Sequence, residues 1–246
     1  MSRAVYYLGW DVGGWNCDHN AKSRDAIVIL GSDLKIVGQP WRGNLRDAIN
    51  KADSTVGWLH SVSKLCKSEA PANQFKATMA IDTPLGISEE FAKLIAGRKW
   101  TEQLGGYQSN TYLYRQTERF LFSRGFSPLS AIKDMIGSQA TKGMHALAKF
   151  APVVESCGVW TDGSGFRAIE AYPSASRDAL IIKKLLKGAL SLGNDDLDDA
   201  RICALLAYLF EQDRSALETP SEEIPISEGW IWFPKQEARH AERKVR

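Results

Sequence analysis

The chain has 246 residues, of which 44% are hydrophobic and 24% are charged, and these values are those of an ordinary globular protein with enough interior for a core. Its four cysteines are far apart and form no CxxC pair, which argues against a zinc cage and against a disulfide scaffold. Its N-terminus lacks the form of a signal peptide, and its longest apolar stretch, ICALLAYLF, is too short to span a bilayer, so we expect a cytoplasmic protein. The net charge of +2 permits a nucleic-acid partner but does not require one.

The first elements predicted along the chain are strands. Residues 4–11 (AVYYLGWD) and 26–30 (AIVIL) are short runs rich in β-branched and aromatic residues, and residues 34–38 are predicted to add a third strand after a turn. The close spacing of the three favours an antiparallel meander. Apolar residues at helical spacing then predict one helix over about 44–67.

The second part of the chain predicts further strands and helices. The run KATMAID is predicted as a strand that stops at Asp82, and FRAIEAYP as a strand that stops near Glu170. Residues from about 85 to 158 are polar, rich in glycine and predicted to be helical, and the segment DDARICALLAYLF predicts a late helix. This is a mixed α/β layout, and the absence of GxGxxG after the first strand argues against a Rossmann fold.

Four acidic residues fall at the ends of these predicted elements. Asp11, Asp82 and Glu170 each close an apolar strand. Asp199 precedes Ile202 by three positions, and Ile202 begins the apolar stripe of the late helix, so Asp199 is predicted to lie on the side that faces the core.

Each acid also has an ordinary structural explanation when it is taken alone. Asp11 and Asp82 suit turns, and acids at the start of a helix are favoured by the helix dipole. Taken together, carboxylates gathered so closely would repel one another unless a cation lay among them. Oxygen ligands suit Mg²⁺ or Mn²⁺, and two such ions can activate a water and stabilise the leaving oxygen of a phosphodiester.

The order of these features resembles the RNase H-like superfamily in its RuvC-like resolvase branch. More closely, the chain resembles the family named domain of unknown function 429, whose members are predicted RNase H-like nucleases. The motifs that carry the resemblance are, in order, GWDVGG, AIDTPLG, YRQTERFL, IGSQATKGM, IEAYP, DDARICALLA and ISEGWIWFP.

The resemblance implies a fold and a domain organisation. The fold would be an RNase H-like mixed sheet, an antiparallel three-strand meander plus parallel strands, flanked by helices. It would form a single domain over residues 1–234 with a helical insertion at about 85–158, followed by a charged tail over 235–246.

The resemblance also implies an activity, which is metal-dependent hydrolysis of the phosphodiester bonds of DNA or RNA. The implied catalytic residues are Asp11, Asp82, Glu170 and Asp199. The ligands of Mg²⁺ or Mn²⁺ would be Asp11, Asp82 and Asp199, with Asp198 or Asp195 as alternatives for the helical ligand. The glycines after Asp11 would leave room for a phosphate to approach.

Three basic residues of the middle segment are candidates for binding the substrate. Arg115 and Arg119 lie four positions apart and would share a helical face, where they could grip phosphates. An equally good interpretation is a helix in which Glu118 pairs with a neighbouring arginine. Lys142 and Gln139, in IGSQATKGM, are further candidates for lining the site.

Two other functions compete with a nuclease. An actin-like or sugar-kinase-like phosphotransferase also begins with a strand followed by DxGG, but it needs two RNase H-like halves and a second phosphate loop between hairpin strands. The sequence TDGSG at 161–165 is predicted to precede a strand rather than to join two. The remaining alternative is a catalytically inactive nucleic-acid or protein-binding module.

Overall fold

The computed structural model describes residues 4–68 and 75–236, and its centre is one eight-stranded sheet. The strands are β1 (Ala4–Asp11), β2 (Asp25–Leu30), β3 (Trp41–Gly43), β4 (Phe75–Asp82), β5 (Val153–Ser156), β6 (Val159–Thr161), β7 (Phe166–Ala171) and β8 (Ile231–Trp232). Their order across the sheet is β3-β2-β1-β4-β7-β6-β5, and β8 pairs with β7 beside this path.

Helices lie between and after the strands. The α-helices are α1 (Arg46–Lys51), α2 (Thr55–Leu65), α3 (Glu89–Gly97), α4 (Gln116–Ser123), α5 (Gly137–Phe150), α6 (Pro173–Ser176), α7 (Leu180–Leu185) and α8 (Asp195–Gln212). Within the described ranges, no helix is long and apolar enough to cross a membrane.

The sheet mixes antiparallel and parallel pairing. Strands β1, β2 and β3 form an antiparallel meander, whereas β1, β4 and β7 run parallel to one another. The predicted α/β class, with a mixed sheet flanked by helices, is therefore confirmed. The antiparallel extension through β6 and β5 was not predicted, because these strands are short and β5 is exposed.

Each face of the sheet carries a hydrophobic cluster. The cluster under α8 includes Tyr7, Val28, Ala80, Ile169, Leu205 and Leu206. The cluster on the opposite face includes Trp10, Ile27, Met79, Trp58 and Phe150. Consecutive residues of one strand, such as Ile27 and Val28, thus enter different clusters, as the pleat of a strand requires.

Two predicted elements differ from the structure. The third strand is Trp41–Gly43 rather than 34–38, where Ile36 forms a single bridge to Leu30 and Leu34 has a φ of +61° that interrupts an extended chain. The helix predicted over 44–67 is two helices, because Ser54 caps a new helix by accepting a hydrogen bond from the backbone N–H of Gly57.

The middle segment, about 85–158, contains α3, α4 and α5 separated by irregular chain, and it ends in β5. Its helical character is therefore only partial. Residues 237–246 of the predicted charged tail lie outside the described residues. The division into one domain and a tail stays a prediction.

Candidate active site

Asp11 and Asp82 lie side by side at the carboxyl ends of two neighbouring parallel strands. They end β1 and β4, respectively, and they are direct partners in the register of that pair. Neighbouring strands are about 4.8 Å apart, and residues that pair in register point to the same face. The two carboxyl groups therefore share one face at one edge of the sheet, as the sequence predicted from their positions at strand ends.

The face that carries the two acids is the one that α8 covers. Tyr7 belongs to the cluster under α8, so the alternation of the strand places Gly9 and Asp11 on the same side. A Cβ on Gly9 would lie 2.5 Å from the backbone nitrogen of Ala204 and closer still to the carbonyl oxygen of Ala200. Glycine at this position lets α8 rest directly on β1, and the acids of the first turns of α8 thereby approach Asp11.

The electrostatics of the site reflect this crowding of carboxyl groups. Burial, followed by repulsion from Asp82, Asp196 and Asp199, raises the pKa of Asp11 well above its ordinary value. Burial, followed by repulsion from Asp199 and Glu170, raises the pKa of Asp82 to about 8. Among residues 4–68 and 75–236, neither carboxyl group has a hydrogen-bond donor or an ion-pair partner.

Asp199, the acid predicted on the late helix, does approach the pair, but an arginine holds it. Nη2 of Arg177 donates a hydrogen bond of 2.7 Å to Oδ1 of Asp199. Burial raises the pKa of Asp199, and the charge of Arg177 opposes that rise. The carboxylate is thus partly neutralised within the protein.

The other acids of α8 divide between the two sides of the helix. Asp198 accepts hydrogen bonds from the backbone of Leu192 at 3.0 Å and from Nη2 of Arg201 at 2.8 Å, so its carboxylate is engaged away from Asp11. Asp195 is exposed at the start of the helix.

Asp196, which the sequence did not single out, acts on Asp11. It accepts hydrogen bonds from the backbone of Arg24 at 3.1 Å and from Nε of Arg42 at 2.6 Å. The crowded acids at the start of the helix gave no signal to prefer it, because its partners lie more than 150 positions away in the chain.

Glu170 points to the opposite face of the sheet from Asp82. It pairs in register with Ile81, the residue before Asp82, and adjacent residues of a strand alternate between faces. There the carboxylate accepts two hydrogen bonds from Arg115, of 2.6 and 2.8 Å, and one of 2.9 Å from the backbone of Leu85. The structure thus brings Glu170 near the pair as a partner of Arg115 rather than as a free carboxylate.

Arg115 is a buried cation between two acids. Besides Glu170, it binds Glu118 through Nη2 at 2.6 Å and through Nε at 2.8 Å. Burial acts to lower the pKa of Arg115, but the charges of Glu118 and Glu170 outweigh it and raise the pKa. The pairing of Glu118 with a neighbouring arginine is confirmed, and the buried guanidinium does not face a substrate surface. Arg119 is half-buried on the same helix.

Lys142 is also fully buried, and it pairs with Asp25 under the β1–β2 loop. Its ammonium donates hydrogen bonds to the backbone oxygens of Gly13 at 3.2 Å and Gly14 at 3.1 Å. Burial raises the pKa of Asp25, and Lys142 opposes that rise. Lys142 therefore anchors the loop after Asp11 and does not reach the surface where a substrate would lie.

The two glycines of that loop serve close backbone packing. A Cβ on Gly13 would lie 2.6 Å from the backbone nitrogen of Asp25, and a Cβ on Gly14 would lie 2.9 Å from Oγ of Ser138. The space that they leave is filled by the protein itself. The interpretation that these glycines make room for a phosphate stays a prediction.

A cavity of about 380 Å³ opens beside the acid pair. Its lining includes Asp11, Asp82, Thr83, Glu170, Gln139 and Tyr172. The predicted lining residue Gln139 is thus present, whereas Arg115, Arg119 and Lys142 are not among the residues that border this cavity. The hydroxyl of Thr83 is buried here and has no hydrogen-bond partner within the described part of the protein.

Within the described part of the chain, this site offers a divalent cation two unpaired carboxylates rather than a complete set of ligands. In the ranges that the structure describes, no three His, Cys, Asp or Glu side chains are arranged to hold a metal ion. Arg177 holds Asp199 and Arg115 holds Glu170, which leaves Asp11 and Asp82. Two acids that repel each other and have no cation between them in the described part of the chain are chemically suited to a hard divalent ion.

The segment TDGSG lies at the other edge of the sheet. It joins β6 to β7, which are antiparallel, so the prediction that it does not lie between hairpin strands is wrong. It precedes β7, however, whereas Asp11 and Asp82 end the parallel strands β1 and β4. Asp162 accepts hydrogen bonds of 2.9–3.0 Å from the backbone of Ser164, Gly165 and Phe166, so these N–H groups are already occupied.

Comparison with known proteins gives no match for this chain among protein-family models, curated proteins or solved structures. The acid pair and its surroundings are thus the basis on which a function can be inferred.

Proposed function

We propose that the protein is a metal-dependent nuclease with an RNase H-like fold, which hydrolyses phosphodiester bonds of nucleic acid. The observation that carries this proposal is the pair formed by Asp11 and Asp82, which are register partners at the ends of parallel strands and have no partner in the described part of the chain. The order of the sheet also supports the fold, since a three-strand antiparallel meander is followed by two parallel strands.

Asp11 and Asp82 are the residues that would hold Mg²⁺ or Mn²⁺. When such an ion is bound, it lowers the pKa of a water and stabilises the leaving oxygen. Burial and, after it, repulsion between carboxylates raise the pKa of both carboxyl groups, and a cation would relieve the repulsion, which supports this role.

The other predicted catalytic residues have supporting roles in this proposal. Asp199 lies close enough to act on both members of the pair through its charge. Glu170 binds the backbone of Leu85 and thereby fixes the chain that follows Asp82. The substrate would enter the cavity beside the pair, where Gln139, Tyr172 and the hydroxyl of Thr83, which is unpaired among the described residues, offer polar contacts.

A cleavage assay on labelled single-stranded, duplex, branched and hybrid substrates tests this proposal. It compares Mg²⁺, Mn²⁺ and EDTA for the wild type, Asp11→Asn, Asp82→Asn and a matched control, Asp33→Asn, whose carboxylate lies on an exposed turn. We expect metal-dependent cleavage that both site variants lose and the control retains.

Other outcomes of this assay would contradict the proposal or favour a different function. Cleavage that persists in both site variants, or that does not depend on the metal, would contradict the proposal. If no form cleaves any substrate, nucleotide binding would be measured next, since that would favour a phosphotransferase, and its absence would favour an inactive binding module.

A further inference from the structure

We propose that Arg177 is an internal counter-ion for Asp199. A divalent cation displaces Arg177 from Asp199, and the released guanidinium then binds the phosphate of the substrate. This inference rests on the proposed function and adds to it a substrate-binding residue that the sequence did not indicate. It concerns the ion pair that engages Asp199, the helical member of the acid cluster.

The position of Arg177 suits such an exchange. It follows α6 directly, and Tyr172 and Ser174, at the start of that short helix, line the cavity beside Asp82. Its side chain is 51% exposed, whereas that of Asp199 is 22% exposed. The arginine therefore reaches a half-buried acid from the solvent side, and it can leave without opening the core.

Arg42, the cation bound to Asp196, is held more firmly than Arg177. Arg42 binds Asp196 with side chains that are 20% and 14% exposed, and it also donates a hydrogen bond of 2.9 Å to the backbone oxygen of Ala21. Within the described residues, the side chain of Arg177 donates one hydrogen bond, to Asp199. Since an exposed ion pair contributes little to stability, Arg177 is the member that can be released at small cost.

The charges explain why a cation and Arg177 would exclude each other. The guanidinium acts on the carboxyl group of Asp82 as well as on that of Asp199, so its field reaches one member of the acid pair. A divalent ion at Asp11 and Asp82 would repel this guanidinium and attract the carboxylate of Asp199. Once released beside α6, whose first residues line the cavity, the planar guanidinium is suited to a bidentate contact with a phosphate.

The test measures Mn²⁺ binding by isothermal titration and by the loss of the free-ion signal in electron paramagnetic resonance. The variants are Arg177→Gln and Arg177→Lys, and the control is Arg201→Gln. Arg201 makes an Arg–Asp contact of 2.8 Å with Asp198 on the same helix, away from the cluster, and its substitution changes the net charge equally. Thermal unfolding in EDTA confirms that each variant is folded.

We expect Arg177→Gln to bind Mn²⁺ roughly two- to fivefold more tightly than the wild type, which is the competition expected from one exposed ion pair. Arg177→Lys and Arg201→Gln should bind Mn²⁺ as the wild type does. At saturating Mn²⁺, cleavage by Arg177→Gln should fall about tenfold or more, since a donor to the substrate has been removed, and Arg177→Lys should recover part of that loss.

Tighter Mn²⁺ binding together with slower cleavage by Arg177→Gln would support the inference. Mn²⁺ binding by Arg177→Gln but not by the wild type would also support it. Unchanged or weaker Mn²⁺ binding by Arg177→Gln, with binding by the wild type that Asp11→Asn abolishes, would overturn the inference and leave the nuclease proposal standing. Tighter binding with undiminished cleavage would overturn the phosphate-binding role. If neither the wild type nor Arg177→Gln binds Mn²⁺, both proposals are wrong.

Discussion

Gly9 lies against the backbone of Ala200, and this contact sets the distance between the sheet and α8. A side chain on Gly9 would overlap the carbonyl oxygen of Ala200 and approach the backbone nitrogen of Ala204 to 2.5 Å. Both obstacles are backbone atoms of a buried helix, so neither can move aside as a flexible side chain would. Asp11, two residues further along β1, faces the same helix.

We therefore expect Gly9→Ala to lower the free energy of unfolding by about 3 kcal/mol or more, at the upper end of the range for overpacked cores. Urea denaturation measures this change. The matched control is Gly106→Ala, since a Cβ on Gly106 meets nothing within 4 Å, and its effect should be within about 0.5 kcal/mol. Equal stability of the two variants would contradict the close contact.

Strand ends and the late helix could be predicted from the sequence because their signals are local. Two apolar runs, which stop at Asp11 and Asp82, predicted the strands, and the apolar stripe of α8 predicted the helix. The same signals predicted that the acids lie close together. The partners of Arg115 and Lys142 could not be predicted, because Glu170 and Asp25 lie 55 and 117 positions away. Whether a basic residue meets substrate or a buried acid depends on such distant contacts.

The pH dependence of stability gives a test of the acid pair. An aspartate in an unfolded chain has a pKa of about 3.9, whereas the pKa of Asp82 in the folded protein is raised to about 8. Between these values the folded state retains a proton that the unfolded state releases. The contribution of Asp82 to stability is therefore greatest below about pH 4 and falls as the pH rises towards 8. Asp82→Asn removes this loss.

Thermal unfolding in EDTA at pH 5, 6.5 and 8 measures the effect. At pH 8 we expect Asp82→Asn to melt at least about 3 °C above the wild type, the shift that about 1 kcal/mol produces in a domain of this size. The difference should shrink at pH 5. Asp33→Asn is the control, because the hydrogen bond with Lys35 lowers the pKa of Asp33 and this group stays ionised throughout the window. A wild type as stable at pH 8 as Asp82→Asn would contradict the raised pKa.

The buried pair of Lys142 and Asp25 predicts a loss of stability rather than of substrate affinity. Lys142→Met would leave the carboxylate of Asp25 with the N–H groups of Trp10, Gly13 and Leu45 but without its cation. We expect this variant to lose about 3–5 kcal/mol, as when one partner of a buried ion pair is removed.

A double-mutant cycle with Asp25→Asn separates the pair from its surroundings. The double variant should cost less than the sum of the two single variants, because each single variant leaves a buried partner uncompensated. If Lys142 bound substrate at the cavity instead, Lys142→Met would leave the urea midpoint unchanged and would weaken nucleic-acid binding.

Thr83 and Thr117 differ in the hydrogen bonding of their hydroxyl groups, and this difference distinguishes a hydroxyl available to a ligand from a structural one. Thr117 is fully buried, and its Oγ1 accepts a hydrogen bond of 3.0 Å from the backbone of Ile231. Thr83 is 5% exposed and lines the cavity beside Asp82, but its hydroxyl has no partner among the described residues.

Substitution by valine should therefore change the free energy of unfolding differently at the two positions. Thr117→Val leaves the N–H of Ile231 unpaired and should cost about 1–3 kcal/mol in urea denaturation. Thr83→Val removes a hydroxyl that has no partner in the described ranges, so stability should stay within about 0.5 kcal/mol or rise. If that hydroxyl meets the substrate, Thr83→Val should raise the Kd for nucleic acid while Thr83→Ser preserves it. A large loss of stability in Thr83→Val would instead show that the protein itself satisfies this group, and the cavity would lose one of its polar contacts for a ligand.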